Sequence, residues 1–370
     1  MSSVSSLTVR GYKSIRELND FPLTNLNVLI GANGAGKSNF ISLFRLLAEM
    51  MAQRLQLYVP LQGGAEAFLH FGSKTTDRLA AKFYFRNKFF SLIPKECYAF
   101  QLIQALDNRL VFETEQCMML NEDGGVIAEL VSDFGQGHHE SNLRQEKNLH
   151  ALFVRELISN WRVYHFHDTG DTAKVKRIHG DNDNLRLKQD AANLAAYLRM
   201  LKHKHEPEYE RIVSTIRLVL PYFLEFYHRQ DDTGNVQLEW LHRNDPDTPL
   251  KAHMLSDGSL RFICLVTLLL QPIDLLPDTI LIDEPELGLH PYAITILVSI
   301  FKQVAEDKQL IISTQSVELV NELEPDDVIV VDQDEGASTF RRFSRQELAV
   351  WLEDYSLGEI WCSNIMGGRP

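Results

Sequence analysis

An eight-residue loop, Gly31-Ala32-Asn33-Gly34-Ala35-Gly36-Lys37-Ser38, limits what this chain can fold into more than any other stretch. It follows the apolar run Val28-Leu29-Ile30 and leads into residues 39–47, where apolar positions recur at helical spacing. The order is strand, glycine loop, helix. Glycines let the backbone wrap so that successive N–H groups face phosphate oxygens, and the helix start adds the positive end of its dipole. Asn33, Gly34, Ala35, Gly36 and Asn39 would then line a phosphate cradle. Lys37 would reach the β- and γ-phosphates, and the Ser38 hydroxyl would ligate Mg²⁺. The loop predicts an α/β fold that binds a nucleotide.

Further along, Leu255-Ser256-Asp257-Gly258-Ser259 precedes the apolar helix pattern of residues 260–270. A serine-glycine loop that caps a helix is a second anion-binding device, because the Ser256 hydroxyl, the Gly258 amide and the helix dipole face one way. Thr279-Ile280-Leu281-Ile282-Asp283-Glu284-Pro285 reads as a buried parallel strand that delivers two acids at its C-terminal edge. Asp283 is placed to bind Mg²⁺ opposite Ser38, and Glu284, pointing elsewhere, to polarise the attacking water. Gln309 to Ser316 is another such strand; its Gln315 can donate and accept, as contact with a γ-phosphate or a water requires.

A net charge of −13 argues against a generally basic nucleic-acid coat. Residues 141–220, however, hold 14 Lys+Arg against 10 Asp+Glu, a local balance of +4. That balance suits either a solvated helical face or a surface that tracks a nucleic-acid backbone. Cys97, Cys117, Cys264 and Cys362 are scattered without a C-x-x-C pair, as expected in a reducing cytosol. The N-terminus lacks the charged and apolar regions of a signal peptide, and the most apolar run, residues 262–270, is too short to span a bilayer. A cytoplasmic protein without membrane contact is expected.

Residues 7–12 alternate like a strand, with residues 26–30 as the expected neighbour across the turn at Lys13-Ser14. Lys13 would touch a phosphate or the base edge, or else stand as a solvated turn lysine. From 63 to 131, short alternating runs including residues 79–85, 110–113 and 126–130, punctuated by Asn87, Asp107-Asn108 and Asp123-Gly124-Gly125, predict an antiparallel β-subdomain. Residues 141–220 read as mostly helical. His165 and His167 share a face if extended, but without a second ligand cluster they are read as hydrogen-bonding residues rather than metal ligands. Residues 366–370 read as a mobile tail.

Taken in order, these pieces resemble the ATP-binding-cassette ATPases of the SMC, RecF and OLD group. Gly31 to Ser38 matches their Walker A motif, Leu255 to Ser259 the signature, Ile280 to Glu284 Walker B, and Leu287 to His290 the D-loop. Phe68 to Gly72, Tyr164 to Thr169, Asp283 to Pro291 and the Gly-Gly-Arg-Pro ending extend the likeness to small standalone bacterial ATPases grouped as "AAA family ATPase". The resemblance implies a P-loop head of two lobes, a mixed sheet plus an antiparallel β-subdomain, with an inserted helical subdomain. The expected units are 1–140, 141–225 and 226–370.

It further implies a slow or partner-stimulated Mg-ATPase that forms a homodimer around ATP, in which Ser256, Asp257 and Gly258 act in trans on the γ-phosphate held by the other subunit. This chain departs from the group's pattern at Asp257, where transporters have glycine and where a compensating cation would be needed, and at Gln315, which replaces the switch histidine. The Q-loop residue is not placed; Gln53, Gln56 and Gln62 lie early and His70 is a substitute. Relatives with this head work beside separately encoded effectors of nuclease type, including in phage defence. The residues after 330 are too few for an OLD-type nuclease domain, so no intrinsic nuclease activity is expected. The alternatives are a RecF-like DNA-binding repair ATPase and a nucleotide-gated scaffold.

Overall fold

The computed structural model describes residues 3–86, 95–120, 132–229 and 234–369. The expected strand at 126–130 and the turns at Asn87 and 123–125 lie outside the described residues. Two six-stranded sheets organise the described chain. The first comprises β1 (Ser3–Tyr12), β2 (Ile15–Pro22), β4 (Arg78–Arg86), β5 (Lys95–Gln104), β6 (Leu110–Leu120) and β7 (Ser132–Asp133), in the order β2-β1-β4-β5-β6-β7 and antiparallel throughout. The second comprises β3 (Leu26–Ile30), β8 (Arg162–Tyr164), β14 (Thr279–Asp283), β15 (Gln309–Ser313), β16 (Val328–Asp334) and β17 (Ala337–Arg342), in the order β17-β16-β3-β15-β14-β8. It is parallel except for β17. Smaller pairings join β9 (His179–Gly180) to β11 (Asn235–Val236), and β10 (Phe223–Tyr227) to β12 (Glu239–His242) and β13 (Asp245–Lys251).

The near-continuous apolar runs of β3, β14 and β15 follow from covering the parallel sheet on both faces. Side chains alternate across a strand, so Leu29, Leu281 and Ile311 enter one core while Val28, Ile30, Ile280, Ile282, Leu310 and Ile312 enter the other. The first core holds α1 (Lys37–Met51), α2 (Leu55–Leu61) and α3 (Leu149–Ser159) between the two sheets. The second is closed by α4 (Leu194–Lys204), α5 (Glu206–Val219), α6 (Asp257–Leu270) and α7 (Pro291–Val304).

Three local expectations are corrected. The partner of β1 across the Lys13-Ser14 turn is β2, not residues 26–30, which form β3 in the other sheet. β2 is an edge strand with five exposed residues against three buried, spaced three apart, so its alternation is hidden. The segment 141–220 supplies three helices, but it also contributes β8 to the edge of the parallel sheet. Residues 366–369 are held rather than loose. Trp361, fully buried, donates from Nε1 to Gly368 O at 2.5 Å, and Gly368 N donates to Asp332 Oδ2 at 3.0 Å. A side chain at Gly368 would crowd Val331 O and lie against Gly31 Cα, which seats the tail beside the glycine loop.

Candidate nucleotide site

The glycine loop leaves β3 and turns into α1 through Gly36, which caps the helix at φ 118°. Its outer side is fastened by hydroxyls. The Ser338 hydroxyl donates to Ala35 O at 2.5 Å and lies 2.7 Å from the Ser14 hydroxyl, which accepts from Asn39 Nδ2 at 2.8 Å. A side chain at Gly36 would collide with both serines, so glycine is required there. At Gly34, φ 82°, the space is open, and Asn33, Gly34 and Ser38 are exposed. An open cradle above a helix start fits a polyphosphate. Lys37 is 5% exposed and donates from Nζ to Gly31 O at 2.5 Å and Ala32 O at 3.0 Å. Burial lowers the pKa of its ammonium, and the carboxylates of Glu284, Asp283 and Glu286 pull it back up.

Those acids arrive because β3, β15 and β14 run parallel and end at one edge. Asp283 accepts from the Ser313 hydroxyl. Glu284 sits at φ 45°, a left-handed backbone that costs a non-glycine residue about 1–3 kcal/mol and that clusters at working sites. Its amide donates to Ser313 O at 2.9 Å, and its Oε1 accepts from Gln315 Nε2 at 2.6 Å. Behind it, Glu286 Oε1 accepts from Thr314 Oγ1 at 2.6 Å and Gln315 N at 3.1 Å, and burial raises its pKa. Among the described residues, no cluster of three or more His, Cys, Asp or Glu could hold a metal alone. Mg²⁺ takes few protein ligands and completes its shell with phosphate oxygens and water, so an exposed Ser38 hydroxyl and the Asp283 carboxylate are chemically suited to it as donors.

The glutamines proposed for the Q-loop are committed elsewhere. Gln53 Nε2 donates to Ser141 O at 2.7 Å, and Gln56 Nε2 to Leu110 O at 2.9 Å and His139 O at 2.7 Å; Gln62 caps the end of α2. His70 Nδ1 lies 2.7 Å from Lys13 O, on the β17 side of the loop and away from Asp283. The residue that does reach the acids from β8 is His167, whose Nε2 is 2.9 Å from Asp283 O. The sequence places His165 and His167 on one face, and the structure sets His167 against the end of β14. Lys13, at φ 47°, is not a solvated turn residue: it is partly buried, and Nζ donates to Ser42 Oγ at 3.1 Å, one turn beyond Asn39.

The signature residues form a separate surface. Ser256 caps α6, accepting from Ser259 N at 3.2 Å, and both Ser256 and Asp257 are exposed. Gly258 packs on Gly288 so closely that a side chain would run into Gly288 O. Arg261, 8% exposed, ties this helix to the segment after β8 and to the loop after β14: Nε donates to Phe166 O at 2.9 Å, Nη2 to His167 O at 3.2 Å, and Nη1 to Leu287 O. Among the described residues, no hydrogen bond or ion pair joins 256–258 to 31–39. The structure therefore gathers Lys37, Asp283, Glu284 and Gln315 in one place and leaves Ser256, Asp257 and Gly258 outside it.

Residues 26–94 and 138–321, more than half of the chain, match the profile of the family described as "AAA domain, putative AbiEii toxin, Type IV TA system". The chain belongs to that family. The unmatched stretch between the two blocks covers β5 to β7 of this AAA-domain protein. Its fold is similar to a crystallised Smc head bound to the C-winged helix domain of ScpA, at 15% identity and a TM-score of 0.63, covering 94% of this chain and 99% of that one. It is also similar to an Smc head with an extended coiled coil bound to the C-terminal domain of ScpA from Pyrococcus furiosus, at 14% identity and a TM-score of 0.58, covering 96% and 99%. The AAA-domain protein thus has the P-loop ATPase-head fold of the ABC and SMC class. No curated protein matched it. Among the described residues, no helix is long and apolar enough to cross a membrane.

Proposed function

We propose that this protein is a Mg-dependent ATPase whose two copies close around ATP and thereby switch a partner. The observation that carries this reading is the division just described: one subunit gathers Lys37, Asp283, Glu284 and Gln315, while Ser256 to Gly258 faces outward with no phosphate loop of its own. Bound Mg-ATP would supply the γ-phosphoryl group to be transferred to water. The amides of 33–37 would hold the phosphate chain, Lys37 would turn from its own loop carbonyls to the β- and γ-oxygens, and Ser38 and Asp283 would hold the metal. Glu284, kept in place by Gln315, takes the proton of the attacking water. Asn39 and Lys13 flank the same loop on the side away from the acids. Closure adds Ser256, Asp257 and Gly258 of the second subunit, and loss of the γ-phosphate removes the preference for the closed pair.

A separately encoded effector, of nuclease type in a phage-defence setting, is the proposed partner; the toxin wording of the family description supports that setting. A second reading, DNA binding, is favoured by one observation. A cleft of about 740 Å³ beside β8 is lined by Arg45, Arg162, Arg186 and Lys188 against Asp183, which pairs with Lys188, and Asp190. Affinity for duplex DNA that appears with ATP and falls steeply with salt would favour that reading. The ATPase reading itself is tested by phosphate release with the purified protein, wild type against Lys37→Met. Turnover that survives the substitution would contradict it.

A further inference from the structure

The signature loop carries Asp257 where an incoming polyphosphate would have to dock, and two like charges at contact repel by several kcal/mol outside bulk water. The cation that answers it comes from 81 residues upstream. Lys176 closes the short turn Lys174–Lys176 and is fixed there through its backbone, Lys176 N donating to Ala173 O at 3.1 Å and Gln237 Nε2 donating to Lys176 O at 2.9 Å. Its side chain is 3% exposed, and its ammonium lies 3.7 Å from Asp257 Oδ1, beyond hydrogen-bond length. Among the described residues, no other acceptor reaches that ammonium.

An ammonium has three donors, and although the side chain is 3% exposed as a whole, Lys176 Nζ is not a buried atom left without a partner, so its tip reaches solvent in the separate subunit. One long contact to a carboxylate that is itself 65% exposed leaves those donors open to a further anion. Three neighbouring cations are at least partly engaged. Lys174 Nζ pairs with Asp190 at 2.9 Å, Arg177 Nε donates to Thr172 O at 3.0 Å, and Arg261 is shared among three backbone carbonyls. Lys176 has donor capacity left over, and its ammonium lies against the Ser256–Gly258 loop.

We infer that Lys176 is a further trans ligand of the nucleotide. Asp257 holds the ammonium at the surface of the open subunit, and on closure Lys176 donates to the γ-phosphate bound by the second subunit, beside the Ser256 hydroxyl and the Gly258 amide. Asp257 is then a holder for the lysine rather than an obstacle to phosphate. The inference rests on the proposed closure of two copies around ATP and adds a residue to it.

The test measures solution mass with Mg-ATP across a concentration series, in the hydrolysis-blocked Glu284→Gln background. Lys176→Met and Lys176→Gln are each expected to weaken the ATP-dependent pair at least tenfold, with ATP affinity of the separate subunit unchanged, which also reports that the variants fold. Lys176→Arg, which keeps the charge, is expected to retain pairing. The double variant Lys176→Met/Asp257→Asn decides between ligand and counter-ion: if Lys176 binds phosphate, removing Asp257 does not restore the pair. Full restoration, or no effect of Lys176→Met, would overturn the inference. A Glu284→Gln background that fails to respond to ATP would overturn the closure itself, and this inference with it.

Discussion

Around Lys37 the polar side chains are engaged within one subunit: the ammonium with its own loop carbonyls, Glu284 with Gln315, Asp283 with Ser313, and the loop with Ser14 and Ser338. Around Ser256 they face outward, with Asp257 exposed and Lys176 held at 3.7 Å from it. On the proposed function the first region would bind a nucleotide alone, once Lys37 leaves its loop carbonyls. The second has ligand-binding chemistry but no ligand-holding loop, and it is tied by Arg261 and the Gly258-Gly288 contact to the segment that follows Glu284. On the proposed closure, that tie joins the outward surface to the loop that follows Glu284 in the same subunit.

The comparison is sharpened by removing each region in turn. Lys37→Met should raise the dissociation constant for ATP by roughly 100-fold or more, about 2.7 kcal/mol, as read by calorimetry, and abolish turnover. Glu284→Gln should lower turnover by roughly 10²- to 10⁴-fold while leaving ATP affinity near wild type; equal losses in both would mean that Glu284 serves binding rather than chemistry. Ser256→Arg, which obstructs the outward surface, should lower turnover by about tenfold or more and leave subunit affinity for ATP unchanged, since no contact to the phosphate loop is lost. Gln315→Ala should cost about tenfold in turnover by releasing Glu284 Oε1, with binding again intact. Gly258→Ala should show its effect first in stability, about 1–3 kcal/mol by thermal unfolding, because the added methyl meets Gly288 O.

Much of this was legible in the sequence wherever local chemistry specifies structure. The glycine loop, the apolar strands that end in Asp283-Glu284 and in Ser313, and the Ser256 cap each declare themselves within a dozen residues. Features made by distant partners were not. β2 hides its alternation because it is an exposed edge strand, and β8 is three residues long, too short for any period to register. The tail at 366–369 reads as flexible by composition, yet Trp361 and Asp332 fix it. The gathering of His167 onto Asp283, of Arg261 onto Phe166, His167 and Leu287, and of Lys176 onto Asp257 spans 116, at most 95, and 81 positions along the chain, separations that no local pattern encodes. The need for a cation beside Asp257 was predictable from charge alone; which lysine met it was not.

The most direct test of the central claim is the solution mass of the Glu284→Gln protein with and without Mg-ATP. The account predicts that ATP converts single subunits to pairs, or tightens an existing pair, and that adding Ser256→Arg abolishes the change while nucleotide still binds. A mass and shape indifferent to ATP, in protein shown to bind it, would contradict the composite site and leave a constitutive nucleotide-binding scaffold in its place.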